Sequence, residues 1–150
     1  MGIKIIAKNK RASFDFALEQ KYEAGMVLQG TEIKSLRNGK VTLAEAWIDI
    51  DGQGEMWAYN IKIPHYEFGN IHNHQEDRKR KLLLHNKEIV KIWHQMKTQG
   101  LTIVATMIYF KGSRVKLEIA LAKGKKSYDK RQDAAKKDVE RKLQRKQYDD

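Results

Sequence analysis

Val115-Lys116-Leu117-Glu118-Ile119-Ala120-Leu121 decides the fold. Successive side chains of a strand point to opposite faces. Val115, Leu117, Ile119 and Leu121 therefore share one apolar face, and Lys116 and Glu118 occupy the other, which predicts a half-buried strand. Just upstream, Lys111-Gly112-Ser113 has the chemistry of a hairpin turn. Before it lies Leu101 to Phe110, the most apolar stretch of the chain. It is too short for a membrane helix, which needs ~18 apolar residues. The same period of two recurs at Phe14, Phe16 and Leu18, at Ile48 and Ile50, and at Trp57, Tyr59, Ile61 and Ile63. Asp51-Gly52-Gln53-Gly54 joins two of these runs as a second hairpin turn.

Two helical patterns interrupt the strands. Thr31 is placed to cap Glu32 to Arg37, with Gly39 just beyond. Asn86 is placed to cap a longer helix to about Gln99, with Gly100 as its terminator. In that helix Ile89, Ile92, Trp93 and Met96 are expected on one face. Pro64 to Asp77 has no period and reads as a long loop. Many short antiparallel strands with two to three flanking helices predict a mainly β fold with some α. The natural candidate is an OB-like closed antiparallel β-barrel, because closure removes exposed strand edges.

The chain has 150 residues, matching one domain of about 100–200 residues with a tail. Its 30 Lys and Arg against 19 Asp and Glu give a net charge of +11. That excess points to a polyanion, with nucleic acid ahead of an anionic membrane. The absence of cysteine excludes a disulfide framework, thiolate-bound zinc and thiol catalysis. The amino terminus lacks the pattern of a secretory signal, so a cytoplasmic protein without a membrane segment is expected.

Charge density divides the chain. Residues 1–122 carry 19 basic and 13 acidic side chains, and residues 123–150 carry 11 and 6. The second segment has too few large apolar residues to offset an ordering entropy of about 1–2 kcal/mol per residue. Asp129 to Gln147 nevertheless has high helix propensity, with Ala135, Val139 and Leu143 forming a narrow stripe. A barrel domain at 1–122 is expected, followed by a basic tail at 123–150 that is disordered alone and helical when bound. A terminal helix docked on the barrel is the simpler alternative.

Cations cluster at Asn9-Lys10-Arg11, Arg78-Lys79-Arg80-Lys81 and Lys123-Gly124-Lys125-Lys126, where phosphates would relieve their repulsion. Solvated charged turns would look the same. Glu23 has the wrong sign for such a surface, unless it accepts from a base amino group or holds an arginine. His72 and His74 are too close in sequence, and too alone, to suggest a zinc site. Asp49, Asp51 and Glu55 could bind a cation in a nuclease, but fit the polar face of a hairpin better. No catalytic motif stands out, so no enzyme and no cofactor are expected.

Asn9-Lys10-Arg11-Ala12, Glu23-Ala24-Gly25, Gly30-Thr31-Glu32-Ile33-Lys34-Ser35-Leu36-Arg37, Arg78-x-Arg80-Lys81-Leu82-Leu83-Leu84 and Lys123-Gly124-Lys125-Lys126-x-x-Asp129-Lys130-Arg131 occur in this order. Together they resemble the small protein B (SmpB) family, bacterial SsrA-binding proteins that partner transfer-messenger RNA. Many members have prolines where this chain reads Gln75-Glu76-Asp77 and His65-Tyr66. The resemblance implies an OB-like barrel that binds the tRNA-like domain of that RNA and delivers it to stalled ribosomes in trans-translation. It implies a tail that enters the empty message channel at the small-subunit decoding centre and stands in for the missing codon–anticodon interaction. Asn9, Lys10, Glu23, Leu83 and Lys116 are then RNA-facing, with Arg11, Arg78, Arg80 and Lys81 added from the cation clusters. Gly124, Lys125, Lys126, Tyr128, Asp129, Lys130 and Arg131 belong to the ribosome-binding tail. Elongation factor Tu and alanyl-tRNA synthetase are implied as indirect partners through the RNA, with the protein itself a monomer.

Overall fold

The computed structural model describes residues 2–68 and 73–124. Seven strands form one antiparallel sheet: β1 (Ile3–Lys8), β2 (Phe16–Met26), β3 (Trp47–Ile50), β4 (Met56–Tyr59), β5 (Arg80–Leu83), β6 (Thr102–Lys111) and β7 (Arg114–Gly124). Three helices accompany them: α1 (Lys10–Asp15), α2 (Gly30–Arg37) and α3 (Asn86–Gln99). The hydrogen-bonded order is β1-β6-β7-β2-β5-β4-β3.

The stretch at 115–121 forms the body of β7, an interior strand between β6 and β2, and its alternation is realised. Val115, Leu117, Ile119 and Leu121 are buried in the main core. They pack with Leu36, Ile48, Met56, Ile61 and Ile92 from the other elements. Each such side chain contributes about 1.5–3 kcal/mol when removed from water. Ala120 and Ala122, on the opposite face, are also buried, because α1 lays Ala12 against them and Val104. Small residues on both sides permit that close approach.

The sheet curls, helped by register breaks in β2 between Leu18 and Lys21 and in β6 between Ala105 and Met107. β3 comes back against β6. Among the described residues no ladder joins them, so the expected closed barrel is corrected to a sheet not closed by hydrogen bonds, with β1 and β3 at its edges. β3 and β4 have only four residues each, too short to extend the ladder around.

Several local expectations change. Phe14 lies in α1, and the strand begins at Phe16. α2 is capped by Gln29 rather than Thr31: Gln29 and Glu32 form a reciprocal capping box. The Thr31 hydroxyl instead bonds His74 Nδ1 at 2.9 Å. α3 has His85 at its cap position and ends at Gly100 in the left-handed conformation, φ 64°. Ile89 and Ile92 face the core, but Trp93 is 44% exposed beneath the Lys97 ammonium. One residue beyond Ile92 is a rotation of about 100°, which carries Trp93 off the apolar stripe. Ile61 and Ile63 are buried without continuing β4, which stops before Asn60 at φ 59°. The described ends of the 64–77 loop are held together, with the Tyr66 carbonyl accepting from Asn73 Nδ2 at 2.7 Å. His74 is buried, its Nε2 within 2.7 Å of the Ile63 carbonyl oxygen. His72 lies outside the described residues.

Candidate nucleic-acid interface

A lateral row crosses the sheet from the end of β1. The Asn9 backbone N–H donates to the Thr106 carbonyl at 2.7 Å. The Thr106 hydroxyl donates to Glu118 Oε2 at 2.6 Å. Glu118 on β7 lies directly opposite Glu23 on β2. Like charges at facing positions destabilise a sheet, so both carboxylates need partners. Glu23 accepts from the Tyr109 hydroxyl, and from Lys111 Nζ at 3.3 Å. The Tyr109 hydrogen bond, aided by Lys111 and Lys116, outweighs burial and holds the Glu23 carboxyl below its ordinary range. Glu23 is thus anionic at neutral pH, with acceptor capacity at the surface.

One level away, Gly25 on β2 sits between Lys116 on β7 and Leu83 on β5. A Cβ added at Gly25 would come 3.3 Å from the Leu83 Cβ, so glycine admits the close approach. Leu83 is 52% exposed. Glu23, Gly25, Leu83 and Lys116 line one open groove with His85 and Glu88. The groove offers an apolar ledge, an ammonium and a carboxylate, the functional groups that meet a base edge, a sugar and a phosphate.

Three expected residues, Glu23, Leu83 and Lys116, therefore converge. Asn9 does not join the groove. Its amide nitrogen donates to the Ala105 and Leu43 carbonyls at 2.9 and 3.2 Å, tying the start of α1 to β6. Lys10 and Arg11 are exposed on the first turn of α1. Lys81 is paired with Glu55 at 3.1 Å. Arg80 is corrected outright. It is fully buried, with Nε 2.5 Å from Glu32 Oε2, and its guanidinium also donates to the Ile61 and Glu76 carbonyls. Arg78 pairs with the other Glu32 oxygen while remaining partly exposed. Burial would raise the Glu32 carboxyl, but Arg78, the Gln29 N–H and Arg80 together hold it below its ordinary range. The Arg78–Lys81 run is thus divided between a buried lock and the surface. Gly124 ends β7 opposite Phe16, so the sheet extends through Gly124, past the expected boundary at 122. Lys125, Lys126, Tyr128, Asp129, Lys130 and Arg131 lie outside the described residues.

Tyr109, Lys111, His85 and Glu88 were not apparent as site residues in the sequence. A usable signal existed for Tyr109: a tight turn at Gly112-Ser113 sets Lys111 against Arg114, and hence Tyr109 against Lys116. The carboxylates at 49, 51 and 55 serve the β3–β4 hairpin. Asp51 accepts from the Gln53 and Glu55 N–H groups at 2.9 Å and from Trp57 Nε1 at 2.9 Å.

Fold and groove define a small mainly β protein whose curved sheet sets an ammonium and an apolar ledge beside the exposed Glu23 carboxylate in one open groove. A sequence model of the SmpB protein matches residues 6–149. The chain belongs to the SmpB family. The SsrA-binding protein of Bifidobacterium adolescentis is 56% identical over 131 residues, covering 87% of this chain and 82% of the relative. That of Pelobacter propionicus is 52% identical over 143 residues, covering 95% and 93%. A solved chain from work described as "tmRNA-SmpB: a journey to the center of the bacterial ribosome" is similar at a TM-score of 0.67 and 40% identity, covering 81% of this chain and 85% of that one.

Proposed function

We propose that this chain is a non-catalytic RNA-binding adaptor of ribosome rescue. Its sheet face binds the tRNA-like domain of transfer-messenger RNA. The segment after Gly124 enters the empty message channel at the small-subunit decoding centre and becomes helical there, substituting for codon–anticodon pairing. The OB-like description of the curled sheet, the monomeric state, the cytoplasmic location and the indirect partnership with elongation factor Tu and alanyl-tRNA synthetase belong to the same reading.

The observation that carries it is the convergence of Glu23, Leu83 and Lys116 on one groove. A surface selected only for positive charge has no reason to retain a carboxylate there. A surface that reads a base amino group does. The test is Glu23→Gln, which makes the protein more positive. Simple charge attraction predicts tighter binding to the tRNA-like domain. A specific charged hydrogen bond, worth about 1.5–3 kcal/mol, predicts binding weaker by about 10- to 100-fold. A gel-shift titration at fixed salt decides, with circular dichroism as the check on folding; unchanged or tighter binding refutes the groove as the recognition site. An unrelated folded RNA should bind both forms alike.

A further inference from the structure

The Glu23 groove does not end at Lys116. Gly25, Leu83 and Lys116 also line a second groove with Ser113 and Arg114. Ser113 in turn lines a third, with Lys4 and Arg37. The three depressions are therefore one track, sharing residues at each junction. It passes around the β6–β7 turn from β5 to the outer strand β1. The register gives the path: Leu83 lies opposite Gly25, Gly25 opposite Lys116, and Arg114 shares the Lys116 face. Lys4 lies opposite Phe110 on the other face, so the track turns over the end of the sheet at the β6–β7 hairpin rather than crossing one face.

The far half of this track carries one sign of charge. Lys4, Arg37 and Arg114 are exposed, and among the described residues none of them is in an ion pair. The track's acids, Glu23 and Glu88, lie at the opposite end. Three like charges beside one another repel unless an anion joins them. From β5 to β1 the sheet spans four interstrand steps of about 4.8 Å, roughly 19 Å in all.

The geometry points to Lys4, Arg37 and Arg114 as a phosphate-binding extension of the RNA site, along which one strand's backbone runs from the Glu23 groove around the β6–β7 turn. None of the three falls in the cation clusters or the RNA-facing set. They come from β1, the end of α2 and the start of β7, and only folding brings them to one track. In this arrangement Glu23, Leu83 and Lys116 select the RNA, and the extension fixes its direction across the sheet. This assignment rests on the RNA-binding reading above and adds the polarity of the path.

The test compares two triple variants of equal charge. One is Lys4→Gln with Arg37→Gln and Arg114→Gln; the other is Lys62→Gln with Lys87→Gln and Lys91→Gln, which removes three exposed lysines elsewhere. Affinity for the tRNA-like domain is titrated between 50 and 500 mM salt. Each lost phosphate contact reduces the log–log slope by about 0.7–0.9, so the track variant becomes shallower by about 2 to 2.7. At 0.15 M salt that corresponds to roughly 100-fold weaker binding. The control keeps the wild-type slope. Equal slopes in the two variants overturn the extension and leave the Glu23 groove standing. A wild-type slope near zero overturns the RNA-binding reading itself. If the track triple does not fold, the single Arg114→Gln replaces it, with Arg114→Lys as rescue. A slope reduced by Gln and restored by Lys supports the track, and a slope that Gln leaves unchanged overturns it.

Discussion

Replacing Glu32 with Gln removes the one carboxylate that holds two arginines. Glu32 is fully buried, and it neutralises Arg80, which is also fully buried, as well as the partly exposed Arg78. It also accepts the Gln29 N–H at 2.8 Å, closing the cap of α2. In Glu32→Gln the amide oxygen can still serve one donor, while the Arg80 cation loses the one carboxylate it is paired with. Stranding a buried charge costs about 3–5 kcal/mol. The retained acceptor places this change near 3 kcal/mol, a large part of the 5–15 kcal/mol typical of a domain. With a urea dependence of roughly 1.5 kcal/mol per molar, the unfolding midpoint falls by about 2 M. Urea titration followed by tryptophan fluorescence and circular dichroism measures it. The paired change Glu32→Met with Arg80→Met removes both charges and should recover most of the loss. A Glu32→Gln loss under about 1 kcal/mol, or a double variant no better than the single, would show that the pair is not the lock described.

The same carboxyl sets an acid limit. Its folded pKa lies below the ordinary 4.5, so its stabilisation is complete above that value and is lost as pH falls through the folded pKa. Wild-type stability should therefore decline in this window more steeply than that of Glu32→Gln, as chemical denaturation at stepped pH would show. Gly100→Ala forces a β-carbon into φ 64° at the end of α3, for an expected loss of about 1–2 kcal/mol in thermal unfolding. Gly25→Val should press on Leu83 and weaken RNA binding several-fold more than it weakens folding; equal effects on both would remove Gly25 from the groove. Alanine at Asp129, Lys130 and Arg131 together changes net charge by only one unit, and should abolish peptide tagging on a message lacking a stop codon while RNA affinity stays near wild type. Parallel loss in both assays would make the segment part of the RNA surface.

The elements best legible in the sequence were those whose two faces differ. β7 was plain because Val115, Leu117, Ile119 and Leu121 are buried while Lys116 and Glu118 are not. β1 carried no such signal: Ile3 and Ile5 are exposed alongside Lys4 at an open edge, and only Ile6 and Ala7, adjacent in sequence, are half-buried against the core, so no alternation marks the strand. α1 was hidden by length, since six residues make fewer than two turns and Phe14 and Phe16 mimic strand alternation. Glu23, Leu83 and Lys116 could be named from motifs, but their shared groove arises from register across β2, β5 and β7. Arg80 and Lys81 are neighbours in a cationic run, yet alternation sends one inward to Glu32 and the other outward to Glu55. A run of like charge conceals that difference, because composition has no direction and a strand does.

The position of β7 has a consequence for synthesis. Among the described residues it is the last strand made, yet it lies between β6 and β2, and its pairing with β2 joins Phe16 to Gly124 across most of the chain. A nascent chain that has emerged only through β6 holds β2, 11 residues long, without its principal neighbour. Such a fragment presents a long unpaired edge prone to intermolecular pairing. The pairing of β2 is thus deferred until β7 has been made. A product cut short anywhere before Arg114 cannot close around its own missing middle, and is marked by that gap for proteolysis or aggregation rather than partial activity.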